Sequence, residues 1–163
     1  MIRTFNRGEE EYVIHSHYNF YNREYNFDLT FKEYIEQGVA AFIKNFDEAK
    51  DNLWVIEEDG ELKGTIAISH ITQEQAQLRW YLLDNKIVGK GYGKKLLVTA
   101  INFCKEKDYE NIILWTNNRL TQARRLYDKF GFILIESKEQ HLSNQLLVTE
   151  CWRKYLTDNL SNS

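Results

Sequence analysis

Gly89, Gly91 and Gly93 stand at alternate positions between an apolar run and an amphipathic helix, within Val88-Gly89-Lys90-Gly91-Tyr92-Gly93-Lys94-Lys95-Leu96. A strand, a glycine loop and a helix start in that order allow few folds. The loop has to be short, its backbone has to reach conformations that side chains disfavour, and the helix has to begin where the strand ends. The same junction makes an anion site, because the glycines let backbone N–H groups approach a ligand and the helix dipole favours negative charge there. Spacing excludes two familiar versions. The ATP loop requires G-x-x-x-x-G-K-[ST], whereas Gly93-Lys94 is followed by Lys95, which has no hydroxyl for magnesium. The dinucleotide fingerprint puts its third glycine three places after the second, whereas Gly93 comes two after Gly91.

Hydrophobic periodicity orders the rest of the chain. Residues 2–5 alternate as a strand, and Gly8 with Glu9-Glu10-Glu11 opens a helix to about Tyr21, its carboxylates at the positive end. From Leu29, residues Phe31, Tyr34, Ile35, Val39, Phe42, Ile43 and Phe46 recur at helical spacing. Strands over 53–57 and 62–69 flank Asp59-Gly60, a dipeptide suited to a tight turn. A strand over 76–83 precedes the glycine loop, and the helix from Gly91 to about Lys107 carries Leu96, Leu97, Ala100, Ile101, Phe103 and Cys104 toward a core. A strand over 111–116, a helix over 121–130 and strands over 132–137 and 145–153 follow. The order β-α-α-β-β-β-α-β-α-β-β predicts one α/β domain over residues 1–156, with a mixed central sheet flanked by about four helices and a polar tail over 157–163.

Two stretches in the right order carry a family resemblance. Ile112-Ile113-Leu114-Trp115-Thr116-Asn117 reads as a buried strand ending in a polar residue, and Ala123-Arg124-Arg125-Leu126-Tyr127-Asp128-Lys129-Phe130-Gly131-Phe132 as a helix closed by a glycine. With the glycine loop, they resemble the R/Q-x-x-G-x-G and A-x-x-x-Y-x-x-x-G-F signatures of the GCN5-related N-acetyltransferase (GNAT) superfamily. The resemblance covers about residues 2–155. Arg23-Glu24-Tyr25, Leu78-Arg79 and Leu114-Trp115-Thr116-Asn117 are similar to acetyltransferase domains fused in bacteria behind MarR-type DNA-binding domains.

The resemblance implies transfer of an acetyl group from acetyl-CoA to a primary amine of a small molecule or peptide. The loop from Gly89 through Lys90, Gly91, Tyr92 and Gly93 to Lys94 would bind the pyrophosphate through its N–H groups. Lys90 and Lys94 would either add charge-assisted contacts or stay solvated. Leu82 and Leu83 would offer strand backbone to the pantetheine arm and an oxyanion donor to the thioester. Tyr127 matches the tyrosine that serves the departing sulfur, although a tyrosine on a helix also serves as packing. A phenol's ordinary pKa near 10 exceeds a thiol's near 8.5, so hydrogen bonding to the thiolate describes its role better than full proton transfer. Asn117 resembles the pantetheine contact and equally suits a turn. Two departures stand out: Val88 occupies the Arg/Gln position, and Asn85 a position where proline is common.

Glu24 is the first candidate for the base that deprotonates the amine, with His17 and His70 behind it. The aromatic run from Tyr18 to Phe27 serves either as a packed helix connection or as an acceptor pocket. An alternative function for the whole chain is a non-catalytic acyl-CoA-binding sensor or interaction module.

Composition narrows the partners. A net charge of −3 over 163 residues gives no electrostatic reason for nucleic-acid binding. No apolar run reaches the roughly 20 residues that span a bilayer, and the first residues lack a signal peptide's apolar region. Cys104 and Cys151 are too few for a disulfide framework. The expectation is a cytoplasmic bacterial protein without metal, whose final strands offer an edge on which a second copy can pair as a homodimer.

Overall fold

A computed structural model describes residues 1–156. The tail assigned to 157–163 lies outside the described residues. The elements are β1 (Ile2–Thr4), α1 (Glu10–Tyr25), α2 (Leu29–Lys44), β2 (Asn52–Glu58), β3 (Glu61–His70), β4 (Gln75–Leu83), α3 (Tyr92–Glu106), β5 (Asn111–Asn117), α4 (Thr121–Lys129), β6 (Ile133–Leu142) and β7 (Gln145–Tyr155), with one 3-10 turn at Asn85–Ile87. The predicted element order and α/β class hold. No helix among the described residues is long and apolar enough to cross a membrane.

The seven strands form one sheet in the order β1-β2-β3-β4-β5-β7-β6. Every neighbouring pair is antiparallel except β4 and β5, which run parallel. Helices cover both faces, and α3 is the crossover that joins the parallel pair β4 and β5. On one face, Leu96, Leu97, Ala100 and Cys104 of α3 and Tyr127 of α4 pack on Ile66, Leu78, Leu114 and Trp152. On the other, Val13 and Ile14 of α1 and Ile35, Val39 and Phe42 of α2 pack on Leu53, Val55 and Ala67. The apolar stripes read from the sequence for α2 and α3 face the sheet, except that Tyr34 of α2 points to solvent, 65% exposed.

Two boundaries differ from the sequence reading. α1 continues to Tyr25, so Arg23-Glu24-Tyr25 is its last turn rather than a connection. Its extension is held by aromatic packing of Tyr21 on Phe27 at 5.5 Å and on Phe31 at 4.9 Å, and Asn26 closes it in the left-handed region at φ 58°. β6 runs to Leu142 instead of stopping near 137. Ser143 and Asn144, at φ 51° and 59°, form a two-residue turn whose twist matches the flanking strands and keeps them paired to the tip.

The α3 stripe gives a stability test. Leu97, 0% exposed, loses about 2–5 kcal/mol on Leu97→Ala because a cavity remains. Its neighbour Val98, 41% exposed, changes by less than about 0.5 kcal/mol on Val98→Ala. Urea unfolding of both variants checks the pattern, and equal losses would contradict the assigned helix face.

Candidate active site

The site begins where the sheet fails to stay closed. β4 and β5 pair only at Gln75↔Asn111, Ala76↔Ile112 and Gln77↔Ile113. Beyond that, β4 keeps β3 through Leu83, and β5 keeps β7 through Asn117, so the two parallel strands diverge into a wedge. A bulge accompanies the divergence: Thr65 faces Leu82 while Ala67 faces Arg79, so β4 carries an extra residue there. Trp80 sits at φ 49°, and the Thr65 hydroxyl donates to its carbonyl at 2.7 Å. From Leu78 to Leu83 the β4 edge facing β5 has no strand partner among the described residues. The Asp84 amide donates to the Lys63 carbonyl at 2.8 Å, so by strand alternation Leu82 turns its backbone groups to β3 while Leu83 turns its N–H and C=O to the opening, toward a ligand or water.

The glycine loop closes the mouth of the wedge. Gly89 and Gly91 take φ of 89° and 86°, and a Cβ built on either meets nothing within 4 Å. Backbone conformation therefore requires these glycines, and the space before them is open. The amides of Gly89, Gly91, Tyr92, Gly93 and Lys94 find no acceptor among the described residues. Those of Gly91 to Lys94 are the orphan donors of a helix start, since Gly91 caps α3, and that of Gly89 lies in the loop before it. Gly93 is a glycine for another reason: a Cβ there would lie 2.9 Å from the Tyr81 hydroxyl and 3.2 Å from Leu83 Cδ1. The Tyr81 hydroxyl donates to the Gly93 carbonyl at 2.7 Å, tying the loop to the bulge.

The loop side chains divide. Tyr92 donates its hydroxyl to Glu58 at 2.8 Å, and the Lys90 ammonium lies 3.5 Å from the same carboxylate, so both turn toward β2. The Tyr92 hydrogen bond, with help from Lys90, holds Glu58 below the usual carboxylate range. Lys94 instead approaches Lys129 at the end of α4, and its amino group lowers the pKa of Lys129. Two ammoniums crowded beside five free amides suit an anion. Val88, 52% exposed, presents no donor.

Tyr127 enters from α4. It is 5% exposed, with ring centroids 5.7 Å from Phe132, 6.2 Å from Tyr81 and 6.5 Å from Trp152. Burial pushes its phenol far above the ordinary value, so it stays protonated as a donor. Its hydroxyl has no hydrogen-bond partner among the described residues. An ion pair anchors the surroundings: Arg124 of α4 donates to Glu150 of β7 at 2.8 and 3.0 Å, and the Trp152 indole donates to Glu150 at 3.1 Å. Glu150 is buried, so losing either partner would strand a charge.

The remaining predicted residues fall outside this contact set. Asn117 accepts from the Arg119 amide at 3.0 Å, closing the turn after β5. Glu24 is half exposed at the end of α1 and pairs with Arg23 at 3.0 Å; no hydrogen bond or ring contact links it to Tyr127. His70 binds the buried Asp51 at 2.8 Å near the closed end of the sheet. His17 is buried with its Nδ1–H donating to the Val13 carbonyl at 2.8 Å, leaving Nε2 without a partner. Tyr81 and Arg124–Glu150 were not legible in the sequence. The one sequence signal near them was the third glycine, Gly93, at the start of the helix.

Comparison with known proteins places this geometry. The model of the Acetyltransferase (GNAT) family matches residues 14–132. N-acetyltransferase family 8 member 2 of Rattus norvegicus is 25% identical over 103 residues, covering 60% of this chain and 46% of that protein, so the chain spans about half the length of that relative. An acetyltransferase of the GNAT family from Staphylococcus aureus Mu50 superposes with a TM-score of 0.77 at 20% identity, over 96% of this chain and 98% of that one. The structure of yncA from Salmonella typhimurium, solved with its cofactor acetyl-CoA, superposes at 0.74 and 16% identity over 96% and 93% of the two chains.

His17 yields a pH test. Burial lowers its pKa from 6.5 to about 4, so as pH falls the unfolded chain takes up the proton first. Its contribution is complete above 6.5 and is lost between 6.5 and about 4, by at most about 3 kcal/mol. In urea unfolding from pH 7.5 to 4.5, His17→Phe loses less stability than the parent; parallel curves would refute the burial argument. With the wedge, the glycine loop and the family match in hand, the chain belongs to the Acetyltransferase (GNAT) family.

Proposed function

We propose that this protein is an N-acetyltransferase that moves an acetyl group from acetyl-CoA to a primary amine of a small molecule or peptide. The observation that carries the reading is the set of five unpartnered amides in the glycine loop and the start of α3, with an unpaired β4 edge and the buried Tyr127 hydroxyl.

Acetyl-CoA supplies an acetyl group activated as a thioester. The amides of Gly89, Gly91, Tyr92, Gly93 and Lys94 bind its pyrophosphate, with Lys94 and Lys129 supplying positive charge. Val88 adds no side-chain donor, which leaves recognition to the backbone. The β4 backbone at Leu82 and Leu83 aligns the pantetheine arm and offers a donor to the carbonyl oxygen as charge develops there. Asn117 borders the arm on the β5 side. The Tyr127 hydroxyl, held by Tyr81, Phe132 and Trp152, donates a hydrogen bond to the sulfur as the C–S bond breaks. Because its phenol holds its proton tightly, it stabilises the thiolate more readily than it protonates it. Glu24 takes the amine's proton through water, consistent with its exposure.

This reading places the reaction in the cytoplasm of a bacterium, alongside the resemblance to MarR-fused domains. It also includes a homodimer formed along β6, an edge strand exposed along nearly its whole length with Ile133 and Ile135 at its surface.

Three experiments test it. Acetyl-CoA raises the melting temperature while ATP and NAD do not; saturation at about 100 times Kd stabilises by roughly 2.7 kcal/mol. Tyr127→Phe keeps that shift and loses about tenfold or more in kcat, as expected for one charge-assisted hydrogen bond. Unchanged turnover would remove Tyr127 from the mechanism. Separately, Glu24→Gln slows the reaction most at low pH, where the amine is protonated, and a parallel pH–rate profile would exclude Glu24 as the base.

A further inference from the structure

The α1–α2 side of the wedge holds a cation for which the reaction above has no use. Arg79 follows Leu78 at the point where β4 leaves β5. The bulge then puts Arg79 and Trp80 on the same side of the sheet, because Leu78 and Tyr81 both pack on the α3 side while Trp80 packs on Phe42 of α2. The Arg79 guanidinium lies over the Trp80 ring at 4.1 Å. Gly38 of α2 makes room for it: a Cβ there would lie 3.1 Å from Arg79 Nη2 and 3.5 Å from Trp80.

What Arg79 lacks is an anion. Among the described residues it has no ion pair and no hydrogen bond, whereas Arg3 is matched to Glu9 and Glu57 and Arg124 to Glu150. Burial lowers its pKa, with Tyr34 acting weakly the other way. A guanidinium partly withdrawn from water without an acceptor costs folding energy, and the indole beneath it fixes the plane of its fork. A fixed, unsatisfied fork suits bidentate binding of a carboxylate or phosphate. Its place also fits. Arg79 stands two residues before Tyr81, whose ring touches Tyr127, but on the opposite side of the sheet from the thiol-binding phenol.

We propose that Arg79 binds an anionic group of the acceptor, so that the preferred substrate is a primary amine carrying a carboxylate or phosphate a few bonds from its nitrogen. This inference rests on the acetyltransferase reading. Arg79 is a specificity determinant that touches the acceptor and no reacting atom.

The test pairs amines that differ only in the anion: glycine with glycinamide, L-phenylalanine with L-phenylalaninamide, and O-phosphoethanolamine with ethanolamine. CoA release is followed at matched free-amine concentration in the parent, Arg79→Met and Arg79→Lys. The parent prefers at least one anionic member by roughly 10- to 100-fold in kcat/KM, expressed mainly in KM. Arg79→Met abolishes the preference without changing the acetyl-CoA thermal shift, and Arg79→Lys restores part of it. The carboxylate and phosphate pairs show which anion the fork accepts. A parent that binds acetyl-CoA yet prefers no anionic member overturns the proposal, as does a preference surviving in Arg79→Met. A purely packing role would lower the melting temperature of both variants and leave the preference intact. Failure of acetyl-CoA to stabilise the parent would instead overturn the acetyltransferase reading.

Discussion

The early end of pairing between β4 and β5 is the constraint on which the rest of this structure depends. Three residue pairs hold the parallel strands together, and the bulge at Trp80 then turns β4 away. A sheet interior normally uses every backbone donor and acceptor, so a gap at its centre has to be held open by its surroundings. Here β3 holds β4, β7 holds β5, and helices fill both faces. The result is a slot with unpaired strand backbone on one side and Tyr127 among its aromatic neighbours, assembled from elements that are themselves well packed.

Around that slot, charges are arranged unevenly. Arg124 and Glu150 neutralise each other where α4 meets β7, which fixes the helix bearing Tyr127. Among the described residues, Lys94 and Lys129 approach each other without an intervening anion, and Arg79 stacks on Trp80 without one. Structural ion pairs are matched inside the protein, whereas ligand-directed ones leave a partner to arrive from outside. On the proposed acetyltransferase reading, the first kind holds the site together and the second recognises what enters it.

Tyr81 links these parts. Its hydroxyl reaches the Gly93 carbonyl, its ring meets Tyr127, and its side of the strand depends on the extra residue in the bulge. Shifting β4 by one residue would exchange the environments of Arg79, Trp80 and Tyr81 at once, because side chains alternate across a strand. The loop, the tyrosine and the unpaired cation thus share one register.

Much of this was legible in the residues themselves. Positive φ at Gly89 and Gly91, the apolar stripes of α2 and α3, the strand–helix alternation and the Ala123–Phe132 signature are local properties, since glycine freedom and a 3.6-residue period act within a few positions of the chain. The length of α1 and of the β6–β7 hairpin were not, because aromatic packing from Phe27 and Phe31 and cross-strand pairing extended them beyond local signals. The bulge at Trp80, the purpose of Gly93, the pairing of Arg124 with Glu150 and the lack of a partner for Arg79 belonged to tertiary structure alone. Each is a relation between residues far apart in the chain, and only strand register and helix docking decide which side chains meet.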